Sequence, residues 1–441
     1  MHTPLRRQKT ILTLCLLLLV WGLPAKAQSE PAVIVPDNIA ALEAAYILPG
    51  CQQFSPDSHF VADFIYIYDL TDGSLHYSRT VNPGGESPTG AFQFSPDGQW
   101  FAAKHDGLFA AATNERVFTF QSGSFAFSPD SRYLAVAQDG VYETATGDRL
   151  FTIGNDPAFL GTDFAFSPNS RYVAVEGDGL YDIPRLWRNF EIAGSGIFSP
   201  DGKWLWIRGG VLLETLTWGQ QYTTGSGGFL ASFSPDSALM AVPNDGVYVT
   251  ESGEFLFAFG PNPASFSPDG SLMAVRFVGV YTVDTWEQRL RFSTAESRLS
   301  PTFSPDGRLL IVPGDGIYDT QSWERLLDFV TQWGAEPEGL FFSPDGRWLA
   351  AHDGRTCTVY GLPDAARPTQ NFGVVRPSGK TNIRQRPSAS SGVVANTDTP
   401  LPVIATNADG SWYKVVVSGQ EGWVAASVVR VVYLPDSLPV E

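Results

Sequence analysis

The chain has 441 residues, of which 13% are aromatic and 17% charged, with 43 Gly and 32 Pro. This balance excludes helical bundles and a disordered main body and favours many short strands joined by tight turns. The formal net charge of −17, with no Lys/Arg cluster, repels phosphate backbones and argues against nucleic acid as a partner.

At the N-terminus, residues 1–27 read as a signal peptide. Arg6, Arg7 and Lys9 form a basic start, an apolar run covers 11–21, and Ala25-Lys26-Ala27 is an A-x-A cleavage site. The apolar run is about half of the roughly 20 residues a spanning helix needs, so the mature chain is expected to have no transmembrane segment. Leu14 before Cys15 lacks the small residue that lipidation requires. The expectation is an exported protein, extracellular, cell-surface or periplasmic. Cleavage removes four cations and no acid, which moves the formal charge to −21. Residues 28–43 read as an N-terminal segment.

An internal repeat then dominates the chain. Phe-Ser-Pro-Asp begins at Phe54, Phe94, Phe127, Phe166, Phe198, Phe233, Phe266, Phe303 and Phe342, with Asn169 in place of Asp in the fourth copy. Spacings of 32 to 40 residues match one four-stranded blade. In Phe94-Ser95-Pro96-Asp97-Gly98, Pro sets φ, Ser and Asp bond nearby backbone N–H groups, and Gly accepts a left-handed conformation, which is hairpin-turn chemistry. Ser58, Ser131, Ser170 and Ser237 hold that fifth position in the other copies. A second turn, usually Asp-Gly, follows at Gly107, Gly140, Gly179, Gly210, Gly246, Gly279, Gly316 and Gly354. Runs such as Val141-Tyr142 open a third strand, and runs such as Arg149-Leu150-Phe151 form a fourth.

These residues resemble the WD-repeat-like, TolB-type β-propeller repeats of bacteria. The resemblance covers about 44–360 and implies an all-β propeller of nine blades, with eight as the fallback because the first copy lacks its second Gly. The Trp-Asp dipeptide of eukaryotic WD repeats is absent, so the hydrogen-bonded tetrad of that family is not assumed. The sialidase Asp-box is also absent, because Gly98 and Trp100 come too early. If residues 44–48 close the ring as the outer strand of the last blade, Cys51 falls beside Cys357, and a closing disulfide becomes possible. The alternative is two buried thiols.

Residues 361–371, with Pro363 and Pro368, read as a linker. The stretch 372–433 resembles the bacterial SH3 (SH3b) module, a small β-barrel. The resemblance rests on Thr381-Asn382-Ile383-Arg384-Gln385-Arg386-Pro387-Ser388, Trp412-Tyr413-Lys414-Val415 and Gly422-Trp423-Val424. It implies binding to cell-wall peptidoglycan or its peptides. Six cations against three acids make this stretch basic beside an acidic propeller. Trp412, Tyr413, Trp423 and Arg384 are the candidate ligand-binding residues, against a reading of the aromatics as barrel core or rim packing and of Arg384 as a structural brace. Residues 434–441 read as a tail.

Catalytic signatures are missing. His59, His76, His105 and His352 do not cluster in sequence and form no His-Glu-x-x-His. There is no Gly-x-Ser-x-Gly elbow, P-loop, dinucleotide fingerprint or calcium loop. No catalytic residue, metal or cofactor is expected. The functional expectation is an envelope-associated binding scaffold whose propeller meets an unknown protein or glycan partner. Two alternatives stay open: a channel-site enzyme acting on a carbohydrate or lactone, and a structural subunit of a TolB-like envelope complex.

Overall fold

In the computed structural model the described residues are 32–79, 92–121, 124–154, 163–225, 231–292, 300–329, 337–363 and 367–441. The signal-peptide reading of 1–27 lies outside them.

Nine four-stranded antiparallel sheets form a nine-bladed propeller, and a seven-stranded sheet forms the C-terminal domain. In each blade the first strand ends on the motif Phe, as in Phe92–Phe94 and Phe125–Phe127. The first copy builds a complete blade from Gln53 to Ser78, so the eight-blade fallback does not apply. The last blade is closed by the N-terminal strand Glu43–Leu48. It runs antiparallel to Cys357–Gly361, with Leu48 opposite Cys357. Cys51 and Cys357 are joined by a disulfide, with Cα atoms 5.6 Å apart and both residues buried.

The motif is a self-contained hydrogen-bonded unit. The buried Ser95 hydroxyl donates to Asp97 Oδ1 (2.6 Å) and accepts from the Trp100 amide (2.9 Å), while Asp97 Oδ1 accepts from the Gln99 amide (3.0 Å). Asn169 reproduces the pattern with its neutral oxygen, 2.7 Å from Ser167 Oγ and 3.1 Å from the Arg171 amide. The turn therefore requires an acceptor oxygen and not a charge.

The fifth-position serines do more than tolerate the turn. Ser58, Ser131, Ser170 and Ser237 have φ of 61, 63, 57 and 63°, a region that disfavours side chains. Each hydroxyl accepts the motif amide of the preceding blade: Asp345 to Ser58 (3.2 Å), Asp97 to Ser131, Asp130 to Ser170 and Asp201 to Ser237 (3.0 Å each). The blades are stitched together through these serines.

The Asp-Gly pairs differ from the sequence expectation. In six of the eight, Gly107, Gly140, Gly179, Gly246, Gly279 and Gly316, the glycine is the first residue of the third strand, with Gly140 opposite Val136, and a left-handed residue lies two positions upstream, as at Gln138 (φ 57°) and Asn244 (φ 67°); Gly210 and Gly354 lie in the turn itself, with φ of 95 and 80°. Glycine is needed because the fourth strand presses against it. A Cβ on Gly140 would sit 2.5 Å from the Phe151 carbonyl oxygen, and one on Gly316 would sit 2.1 Å from that of Leu327. The Asp is a cross-strand brace as well as a turn residue. Asp139 accepts from Tyr142 Oη (2.7 Å) and pairs with Arg149 (3.1 Å). Asp178 does so with Tyr181 and Arg188, and Asp315 with Tyr318 and Arg325. Burial and the neighbouring carboxylate push the Tyr142 hydroxyl up to about 12. The Asp-Gly, Val-Tyr and Arg-Leu-Phe signals, separate in sequence, are thus one Asp–Tyr–Arg cluster.

Candidate functional site

The C-terminal domain is fixed on the divergent first blade. That blade has Tyr66 in the strand position where most other blades have the close-approach glycine, and its hydroxyl donates to the Val416 carbonyl of the C-terminal domain (2.8 Å). Phe372 stacks on Tyr68 with centroids 5.4 Å apart, and the Gly419 amide donates to Ser78 Oγ (3.0 Å). The connection expected as a linker is pinned at its end. The buried Gln370 side chain accepts from the Ile47 amide and donates to the Ile47 carbonyl, each at 2.8 Å. The loss of repeat consensus in blade 1 therefore marks a docking surface.

The core of the domain is Val375, Ile383, Leu401, Val403, Val415, Val417 and Val424. Strand alternation sends Thr381 and Ile383 inward and leaves Asn382 exposed and Arg384 half-buried on the other face. Along Trp412–Val417, Tyr413, Val415 and Val417 belong to the core face, so Trp412 takes the opposite one. Arg384 and Trp412 consequently meet in one groove of about 750 Å³, which Lys380, Asn382 and Ser411 also line. Arg384 is held by its guanidinium, which donates to the Ser391 carbonyl (2.7 Å), while Asn396 donates to Asn382 Oδ1 (2.9 Å).

The other two candidates are not on this groove. Tyr413 packs against the core, and Trp423 is buried opposite both Arg384 and Lys414 in the sheet register. The barrel-core reading holds for Tyr413, whereas Trp423, opposite Arg384 and Lys414 and next to the core residue Val424, is buried on the other face of the sheet; the groove reading suits Trp412. Lys380 and Ser411 were not among the candidates, although each adjoins a motif that singled out its neighbour.

The residues expected as a tail, 434–441, belong to the domain. Leu434 and Leu438 pack on its core, and the Glu441 amide donates to the Thr406 carbonyl (2.9 Å). Lys414 is neutralised between Glu421 (2.8 Å) and Glu441 (2.7 Å), and these partners raise its pKa. With Asp436 and Glu441 counted in, the domain is far less basic than its first 62 residues imply.

A second cleft, of about 710 Å³, lies between blades 1 and 9 and the C-terminal domain. On its propeller side Asp63 is 8% exposed, and its Oδ1 accepts the amides of Ile65 and Tyr66 (2.6 Å each). Burial lifts its carboxyl to about 6 against the opposing pull of those amides. His352 also lines the cleft, and burial holds its pKa below the ordinary histidine range. Among the described residues, no three His, Cys, Asp or Glu side chains are grouped so as to hold a metal ion, and no helix is long and apolar enough to cross a membrane.

Residues 379–430 match the bacterial SH3 domain family. Among solved structures, one titled "Structure of Dos1 propeller" is similar over 76% of this chain and 98% of that one, at 13% identity and a TM-score of 0.47. No curated protein matches the chain.

Proposed function

We propose that this is an exported cell-envelope binding scaffold of the TolB-like, WD-repeat-like kind. Its SH3 domain docks on cell-wall peptidoglycan or its peptides, and its propeller offers an interaction surface to a protein or glycan partner. The observation that carries the reading is the groove in which Trp412 stands with Arg384, Lys380 and Asn382 on a bacterial SH3 domain. An aromatic face beside a fixed guanidinium suits the apolar and carboxylate parts of a wall peptide. The rigid mount on blade 1 supports a scaffold that holds two binding surfaces in fixed relation. The protein acts by binding and not by turnover.

Retention of the mature full-length chain on purified peptidoglycan sacculi tests this. Wild type is expected to be retained, and Trp412→Ala with Arg384→Ala to lose retention at least about tenfold, the usual scale for removing interface anchors. A chain that passes through sacculi unretained, or a double variant retained like wild type, overturns the wall-docking reading.

A further inference from the structure

The cleft between blade 1, blade 9 and the SH3 domain carries two features of opposite polarity. On its SH3-domain wall Arg376 and Arg430 are directly opposite each other on paired strands. Like charges in that relation destabilise a sheet, and neither guanidinium has an ion-pair partner among the described residues. Asp398 lines the same cleft and pairs with neither. Arg355 adds a third cation from the turn of blade 9. Two guanidiniums facing one space form a carboxylate receptor waiting for its anion.

On the propeller side is Asp63. Both backbone amides fall on its Oδ1, while the buried side chain lines the cleft. Burial raises its pKa against the pull of the two amides and of the Tyr68 hydroxyl, and no arginine forms an ion pair with it among the described residues. The acid and the arginines are therefore separate poles and not an internal ion pair. A buried carboxylate in that state is stabilised by an incoming ammonium. Phe64, 40% exposed, supplies an apolar face in the same cleft.

We propose that this cleft binds a short peptide with free ends, its carboxylate on Arg376 and Arg430 and its ammonium on Asp63. A space of this volume is roughly 9 Å across and sits within the usual range for small-molecule sites. Three extended residues reach about 10 Å, so a tripeptide is the natural length. The site is distinct from the Trp412 groove and does not depend on it. Wall-derived and protein-derived peptides share the required chemistry.

Isothermal titration of the full-length chain with Ala-Ala-Ala, its N-acetyl form and its C-terminal amide tests the proposal. The free tripeptide is expected to bind saturably at one site, and each cap to weaken it at least tenfold. Arg376→Gln with Arg430→Gln should remove binding, and Asp63→Asn should erase the difference between free and acetylated peptide. Trp412→Ala should leave tripeptide binding unchanged, which separates this site from the wall-docking groove. A tripeptide ending in D-Ala-D-Ala, titrated in parallel, shows which source of peptide the cleft prefers. The absence of saturable tripeptide binding, equal affinity for all three end-group forms, or wild-type binding by the arginine variant overturns the proposal.

Discussion

The backbone amide of Asp97 donates to the hydroxyl of Ser131 in the next blade, 3.0 Å away, from a turn position held at φ of 63°, where Gly98 has 71°. Where serine replaces glycine, the side chain adds backbone strain to the turn and an inter-blade bond beside it. Left-handed backbone costs a non-glycine residue about 1 to 2 kcal/mol, and a net hydrogen bond contributes about 1 kcal/mol. Ser131→Gly, which relieves the strain and loses the bond, is expected to be near neutral. Ser131→Ala keeps the strain and loses the bond, so it should destabilise by about 1 kcal/mol more. Urea unfolding of the wild type and both variants separates the two terms: the gap between the variants reports the strain, and a Ser131→Ala midpoint equal to that of the wild type would remove the inter-blade role.

Gly140 separates close packing from turn flexibility. Gly140→Ala places a methyl 2.5 Å from the Phe151 carbonyl oxygen, so a strand must shift, at a cost of about 2 kcal/mol or more. Gly260→Ala meets no atom within 4 Å and should leave the melting temperature within a degree or two, or raise it slightly. Thermal melts of the pair decide between a packing and a purely conformational role.

Closure of the ring is covalent as well as hydrogen-bonded. The Cys51–Cys357 bridge spans 306 residues of sequence, and a cross-link over so long a loop restricts the unfolded chain strongly. Cys51→Ala with Cys357→Ala is expected to lower stability by about 2 to 5 kcal/mol. The same shift should appear on reducing the wild type, and no further shift on reducing the variant. If reductant destabilises both proteins alike, the bridge is not the reason.

Asp63 sets a pH dependence with a definite sign. Its carboxyl titrates at about 6 in the fold, against roughly 3.9 in an unfolded chain. Between those values the folded state holds the extra proton, so stability falls as pH rises from about 4 to about 6 and then levels off. The full effect is on the order of 3 kcal/mol, at about 1.4 kcal/mol per unit. Asp63→Asn keeps an Oδ1 acceptor for the Ile65 and Tyr66 amides and should flatten that segment of the stability curve. Chemical unfolding of both proteins between pH 4 and pH 7 measures it, and parallel curves would mean that Asp63 is not the group responsible.

The sequence by itself determined the blade. Phe, Ser, Pro and Asp act within a few residues of one another, so nine copies fixed nine first hairpins and the strands around them. The ring closure followed from the same register, which brings 44–48 to Cys357. The bacterial SH3 domain was legible for a similar reason, through three short motifs. What only the tertiary structure decided depends on residues that are distant along the chain. The use of Ser131 is set by Asp97 of the preceding blade, 34 positions away, and the need for Gly140 by a carbonyl on the fourth strand. Alternation within one strand put Trp412 on the groove and Tyr413 in the core, which composition cannot distinguish. Arg376 and Arg430 counted only as charge in the sequence; strand pairing set them side by side, and docking on blade 1 gave them Asp63 across a cleft. Local chemistry repeats and can be read, whereas a site assembled from two domains exists only once their surfaces meet.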